Sequence, residues 1–126
     1  MTNQEILENN KLIAKFMGWN EHPKYNTYVI NLDPKRKTPY WSNINYEGSL
    51  DDFNYHSSWD WLMQVIEKIE EMVDKNDTHY NVLSSRTSLL ISTHSNPEYI
   101  VNYNENKLKA HWLTIVEFIK WYNQNK

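Results

Sequence analysis

The residues best equipped for chemistry form one short run, Tyr55-His56-Ser57-Ser58-Trp59-Asp60-Trp61. The run combines an imidazole, two hydroxyls and two indoles directly before a helical pattern. A helix N-terminus presents unpaired backbone N–H groups and a partial positive charge, so a nucleobase, a phosphate or an acidic side chain could be held there. The candidate ligand- or partner-binding residues are therefore Tyr55, His56, Ser57, Ser58 and Trp61.

The same run also has a purely structural interpretation, which we favour. Ser57 and Ser58 are ordinary N-cap residues, and Asp60 complements the helix dipole. Ser57 and Asp60 have the spacing of a capping box, so the helix is expected to begin at Ser57 or Ser58. Trp59 begins the predicted buried stripe, whereas Trp61 lies roughly 200° further around the helix. Trp61 is then either covered by a second layer or exposed as part of an interaction surface.

The residue types give little support to other catalytic or metal-binding chemistry. The chain contains no cysteine and two glycines, which exclude thiolate sites, disulfides and a glycine-rich phosphate cradle. No nucleophile–base pair or carboxylate pair stands at a recognisable spacing, so we predict neither an enzyme nor a cofactor. The histidines are scattered without the spacing of metal ligands, so no metal site is expected. The five histidines are His22, His56, His79, His94 and His111.

Nucleic acid is not an expected partner either. The formal net charge is −3, so the field of the whole molecule does not favour a polyanion. The one basic run, Lys35-Arg36-Lys37, could touch a phosphate backbone while Tyr40 and Trp41 stack on bases. Three cations on an acidic protein are a weak electrostatic footprint, and we interpret the run as a solvated turn.

Periodicity in the apolar residues indicates the elements that must position these groups. Helices are predicted where apolar residues recur every three to four positions, at about 3–17, 58–74 and 106–123. Strands are predicted where β-branched and apolar residues lie between turn signals, near 80–84, 88–92 and 98–103. The fold class is therefore α+β, a small antiparallel sheet packed with three helices in layers around it. A chain of 126 residues is expected to form a single domain, 1–126.

The ends of the helices carry recognisable signals. Thr2 or Asn3 can cap the first helix, and Gly18 follows it as a stop. Trp19 is expected to fold back onto the last turn of that helix. Asn104 or Asn106 can cap the last helix.

The stretch from Asn20 to Tyr55 has the weakest pattern, because prolines and a glycine break it into short pieces. Tyr28-Val29-Ile30 and Tyr40-Trp41-Ser42 are predicted as short strands around a turn that carries the basic run. A long stretch without structure is unusual in a compact domain, so this part is expected to be a hairpin or a binding loop.

Three parts of the chain have a recognisable sequence. They are Phe16-Met17-Gly18-Trp19, the run from Tyr55 to Met63 that leads into Val65 to Glu70, and Val116-Glu117-Phe118-Ile119-Lys120-Trp121-Tyr122-Asn123. They resemble small bacteriophage and prophage proteins of unassigned function. The nearest family is the phage "ABA sandwich" domain group. The resemblance covers the three helices in order but not residues 20–54, and it implies an antiparallel sheet between helical layers and a viral or mobile-element origin. It brings no catalytic residues with it.

Two functional hypotheses stay open. In the first, the chain is a non-catalytic phage or prophage accessory protein that binds a protein partner, and inhibiting a host defence system would be one such role. In the second, it binds a small nucleotide-like ligand at the aromatic start of the second helix. Self-association as a homodimer is also expected, because many aromatic residues on a small chain leave an apolar patch. The start of the sequence lacks a signal-peptide pattern and no apolar run could span a membrane, so the cytoplasm of the bacterial host is the expected compartment.

Overall fold

The computed structural model describes residues 2–21, 28–31, 45–48, 53–93 and 100–125. Within these ranges it contains three helices, α1 (Asn3–Phe16), α2 (Trp59–Glu71) and α3 (Lys107–Asn125). The strands in the same ranges are β1 (Asn20–Glu21), β2 (Tyr28–Asn31), β3 (Asn45–Gly48), β4 (Asn81–Ser84), β5 (Ser88–Ser92) and β6 (Ile100–Tyr103). The protein is therefore an α+β protein with antiparallel pairing, as the sequence predicts.

Backbone contacts divide the chain into two compact units, Met1–Asn54 and Tyr55–Lys126. The first unit contains α1 and a three-stranded sheet in the order β1-β2-β3, and the second contains α2, α3 and a three-stranded sheet in the order β4-β5-β6. Each unit is described by itself below. The single domain expected for 1–126 stays a prediction.

Helix α1 begins as its sequence predicts. Thr2 is the N-cap residue, and its hydroxyl oxygen accepts a hydrogen bond from the backbone N–H of Glu5 at 3.1 Å. The Thr2 hydroxyl also donates to the Glu5 carboxylate at 3.3 Å, so the cap residue and the acid of the first turn contact each other. The acid in the first turn in addition favours the positive end of the helix dipole.

The end of α1 depends on Gly18, which has a φ of 100°. Its N–H donates to the Lys15 carbonyl at 3.1 Å, and the N–H of Trp19 donates to the Ala14 carbonyl at 2.9 Å. These two bonds form a Schellman motif, which needs a residue that adopts a positive φ at little cost. The motif turns the chain back, so that Trp19 is buried and meets Phe53 edge to face at 5.0 Å.

The sheet of the first unit confirms one of the two strands predicted there, and the other stays a prediction. Strand β2 covers the predicted Tyr28-Val29-Ile30 and pairs with β1 on one side and β3 on the other. The predicted strand Tyr40-Trp41-Ser42 lies outside the described residues, as does the basic run at 35–37. A hairpin partner for β2 therefore comes from β3, somewhat later in the chain than the sequence suggests.

The three strands of the second unit form where the sequence predicts them. In the β4–β5 pair Val82 stands opposite Ile91, and Ser84 stands opposite Leu89. Leu89 and Ile91 are buried, while the intervening residues of β5 are half-buried. Because side chains alternate across a strand, one face of the sheet is therefore apolar and packs on the helices.

Helix α2 confirms the central part of its predicted stripe, since Leu62, Val65, Ile66 and Ile69 are buried. Its N-cap is Ser58, whose side chain makes no capping hydrogen bond, so the predicted capping box of Ser57 and Asp60 does not form there. The prediction that Trp59 is a core residue is wrong, because Trp59 is 38 % exposed. Trp59 is the first helical residue and lies at the N-terminal end of the stripe.

Helix α2 also ends at Glu71, three residues before the predicted 74, because the chain straightens at Met72. The Met72 carbonyl accepts a hydrogen bond from the N–H of Tyr80 at 3.2 Å, and Val73 bridges antiparallel to His79. The turn between them is held by the Asp74 carboxylate, which accepts from two backbone N–H groups. Met72 and Val73 therefore leave the helix and form a short antiparallel pairing with His79 and Tyr80, next to β4.

Helix α3 is buried over much of its surface. Asn106 caps it, because its side-chain oxygen accepts from the N–H of Lys109 at 3.0 Å. The predicted stripe is confirmed at Trp112, Ile115 and Ile119, which are buried. The helix is buried more widely than one stripe, and the remaining buried residues are Ala110, His111, Thr114, Val116 and Phe118. Contacts with β5 and β6 on one side and with α2 on another account for this wide burial.

Among the described residues no helix has the length and apolar character that a membrane crossing requires.

The burial difference between two tryptophans gives a stability prediction. Trp112→Ala should lower the free energy of unfolding by about 3–5 kcal/mol, and Ile66→Ala by about 2–5 kcal/mol, because both leave cavities in the core. Trp59→Ala is the matched control, since it removes the same side chain from an exposed position and should cost less than Trp112→Ala. Urea denaturation of the three variants provides the measurement. A loss below about 1 kcal/mol at Trp112, or equal losses at the two tryptophans, would contradict this description of the core.

Candidate functional site

The predicted site residues pack together more than they open to solvent. Tyr55 is only 2 % exposed, and its ring meets the half-buried Trp61 edge to face at 5.1 Å. His56 is half-buried with its ring 6.1 Å from that of Trp112, and burial lowers its pKa below the ordinary histidine value. Ser57 is exposed. A binding role for this cluster stays a prediction, but the Tyr55 ring is used for packing.

A second surface lies on the other side of the start of α2, where Trp59 and Met63 stand one turn apart. Met63 is 43 % exposed and Trp59 is 38 % exposed, so two large apolar side chains are open to water next to each other. The Trp59 ring and the His111 imidazole are nearly perpendicular and lie 5.1 Å apart between centroids. Both side chains line a cleft.

The cleft, which we call the α2–β4 cleft, has a volume of about 380 Å³. Its walls are mainly apolar, with polar groups from both helices and from β4. The lining residues are Trp59, Met63, Ile66, Glu70, Val82, Ser84, Leu89, Lys107 and His111. All of them belong to the second unit, so the cleft is a feature of that unit alone.

His111 is the fixed polar group of the cleft, although it is only 1 % exposed. Its Nδ1 lies 2.8 Å from the Lys107 carbonyl and its Nε2 lies 2.6 Å from the Ser84 hydroxyl. A carbonyl can only accept, so Nδ1 carries the proton, and the Ser84 hydroxyl donates to Nε2. The imidazole therefore has a partner at each nitrogen and is held in one tautomer.

The surroundings of His111 keep its ring neutral. Burial is the main cause that lowers its pKa, and the nearby positive charge of Lys107 acts in the same direction. The hydrogen bond to the Lys107 carbonyl opposes these two effects, but the net direction is below the ordinary histidine value. The lysine and the acidic residue that line the cleft are Lys107 and Glu70.

The contact between Ser84 and His111 has the geometry of a nucleophile and its base, which no local spacing in the sequence indicates. The two residues lie 27 positions apart and meet only in the folded second unit, where α3 packs on β5, the neighbour of β4. The third group, a neutral carbonyl, cannot stabilise a charged imidazole as the aspartate of a catalytic triad does. A lowered pKa also makes His111 a weak base. The pair is therefore better suited to forming a fixed polar wall than to acyl transfer.

Sequence reasoning predicted no site at this cleft, and it placed two of the lining residues, Trp59 and Ile66, on the buried stripe of the second helix. Val82 and Ser84 follow the alternation of a strand, but only the register with β5 shows that both face the helices. His111 lies directly before the predicted core residue Trp112, and nothing in its neighbourhood distinguishes a buried histidine from a surface one. No group of three or more histidine, aspartate or glutamate side chains converges within the described ranges, and the chain has no cysteine.

No protein-family model matches this chain, and neither does a curated protein or a solved structure. The resemblance to phage proteins stays a prediction.

The lowered pKa of His111 predicts a pH dependence of stability. The folded chain binds a proton at His111 less readily than the unfolded chain, so unfolding becomes easier as pH falls through about 6.5 toward the lower folded value. His56 acts in the same direction. We expect a smaller loss of unfolding free energy between about pH 7.5 and about pH 5.5 in His111→Gln than in the wild type, since glutamine does not titrate.

Denaturant titrations at the two pH values test this, and NMR should show the His111 imidazole titrating below its ordinary pKa. An equal pH dependence in the wild type and in His111→Gln would contradict the prediction, whatever the absolute stability of the variant.

Proposed function

We propose that this chain is a non-catalytic binding protein and that the α2–β4 cleft is where its protein partner docks. The observation that supports this is the pair of neighbouring exposed side chains, Trp59 and Met63, at the mouth of an apolar cleft. Water-exposed apolar surface of this kind is commonly buried by a partner, and tryptophan is enriched among the residues that dominate binding energy. We therefore propose the α2–β4 cleft as the binding site in place of the Tyr55 cluster, which is the sequence-predicted set of Tyr55, His56, Ser57, Ser58 and Trp61.

The biological setting of the proposal comes from the sequence. The resemblance to small phage and prophage proteins supports a role as an accessory protein in the cytoplasm of a bacterial host. The partner would be a host or viral protein, and inhibition of a host defence system is the role that we propose. A second copy of the chain is an alternative partner.

A small ligand is the second candidate, because a volume of about 380 Å³ lies within the range of small-molecule sites. The charges in the cleft do not favour a nucleotide, since Glu70 offsets the one cation, Lys107. Ser84 and His111 also satisfy each other, which leaves few free donors to orient a polar ligand. An uncharged apolar ligand would therefore fit better than the nucleotide-like one.

The proposal predicts that two truncations in the cleft weaken binding. The protein recovered with the immobilised chain from a bacterial lysate is identified and purified, and its Kd is measured by calorimetry. We expect Trp59→Ala combined with Met63→Ala to weaken binding about thirtyfold or more, as loss of a central anchor does. Leu83→Ala is the control, because Leu83 is 62 % exposed and, alternating with Val82 and Ser84 along β4, lies on the face of the sheet away from the cleft.

A further variant separates this proposal from the site predicted from the sequence. His56→Ala combined with Trp61→Ala should lower stability, because both side chains pack against other aromatic rings. Unchanged binding in the Trp59/Met63 variant would contradict the cleft as the site. Loss of binding in the His56/Trp61 variant at an unchanged melting temperature would restore the sequence-predicted cluster.

A further inference from the structure

Among the strands that the structure describes, β4 has a partner on one edge only, and its other edge lies beside the cleft. It is the first strand of its sheet and pairs with β5 on one side. The N–H of Ser85 donates to the Ser88 carbonyl at 2.9 Å, which makes that pair a hydrogen-bonded one. Hydrogen-bonded and non-hydrogen-bonded pairs alternate in an antiparallel ladder, so the backbone N–H and C=O groups of Val82 and Ser84 point away from β5.

The residues just before β4 follow the same alternation of inward-pointing and outward-pointing backbone groups. Tyr80 is two residues before Val82, and its N–H points outward as well, where it donates to the Met72 carbonyl. Met72 and Val73 thus occupy the position of a strand next to β4, but the chain before them is helix α2. In the part of the chain that the structure describes, no strand continues this position alongside Val82 and Ser84.

The vacant position adjoins the cleft itself. The side chains of Val82 and Ser84 line the cleft, and Trp59, Met63 and Ile66 of α2 face them. The cleft therefore lies between α2 and the face of the sheet along β4, its end strand. An exposed sheet edge of this kind can accept an extended peptide as an additional strand. In this mode the backbone hydrogen bonds supply affinity, and side chains that enter the cleft supply specificity.

The charges at the two ends of the cleft are opposite. Glu70 lies at the end where β4 begins, since its carbonyl is 3.2 Å from the His79 ring. Lys107 lies at the other end, where its carbonyl holds His111 against Ser84. Neither side chain forms a salt bridge within the described residues. An occupant with a basic group at the Glu70 end and an acidic group at the Lys107 end is complementary to both.

We propose that the partner binds as an extended peptide segment that pairs with the edge of β4 beside the cleft. The segment exchanges backbone hydrogen bonds with Val82 and Ser84 and inserts an apolar side chain between Trp59 and Met63. It carries an acidic residue toward Lys107 and a basic residue toward Glu70. This inference rests on the proposed function, because it names the form in which a partner enters the α2–β4 cleft.

The experiment uses the full chain and a random library of linear peptides displayed on phage. A selected peptide is synthesised in two N-methylated forms, one methylated at the amides that face β4 and the other at the intervening amides. Each methyl removes one donor, and at a β4-facing position it should weaken binding about tenfold, whereas the other set should bind nearly as the parent does. Hydrogen exchange should show the amides of Val82 and Ser84 becoming protected when the parent peptide binds.

Several outcomes would overturn the inference. Selection of no linear peptide would do so, as would equal affinities for the two methylated forms or Val82 and Ser84 amides that stay unprotected. If the Trp59/Met63 variant still loses partner binding in these cases, the cleft remains the site and only the peptide mode fails. If the parent peptide binds that variant as tightly as the wild type, both the inference and the proposed function fail. Protection of the two amides in the free chain, together with a dimer in sedimentation, would assign the edge to a second copy instead.

Discussion

The hydrogen bond between the Ser84 hydroxyl and His111 Nε2 joins the edge strand of the second unit to its central helix. An imidazole that is 1 % exposed is costly unless its nitrogens are paired, and here the Lys107 carbonyl and the Ser84 hydroxyl pair both. The position of the ring then determines the position of Trp59, whose indole packs against it. One satisfied polar group therefore sets the distance between β4 and α3 and keeps the mouth of the α2–β4 cleft apolar.

The first unit uses a comparable device. Asn10 is fully buried on α1, and its side-chain amide donates to the Phe53 carbonyl at 3.1 Å. The ring of Phe53 packs in turn against Trp19, which is buried after the Schellman motif at Gly18. In both units a buried polar side chain on a helix ties that helix to a segment far away in the sequence. Such bonds have specific geometry, so they fix one arrangement where apolar contact alone would accept several.

Local signals were sufficient for the elements but not for the site. Periodicity placed three helices and the strands of the second unit, because the apolar faces of α2, β5 and α3 are continuous along the chain. The apolar periodicity wrongly predicted a buried Trp59, because a periodic pattern does not show which of its residues other elements cover. It failed at Met72 to Asp74, where a long-range pairing with residues 78–80 replaced the last helical turn. The meeting of Ser84 with His111 and the place of β4 at the end of its sheet depend on strand order and register, which no short window of sequence contains.

The central claim is that a partner contacts the cleft rather than the Tyr55 cluster, and the chain's own indoles can report on both. The chain has six tryptophans, so an NMR spectrum of the indole N–H groups contains one signal for each of them, and single Trp substitutions assign these signals. Trp59 lies at the mouth of the cleft, Trp61 packs on Tyr55, and Trp112 is buried in the core. On titration with the purified partner, the Trp59 signal should shift while those of Trp61 and Trp112 stay in place. A shift of Trp61 with Trp59 unchanged would contradict the account.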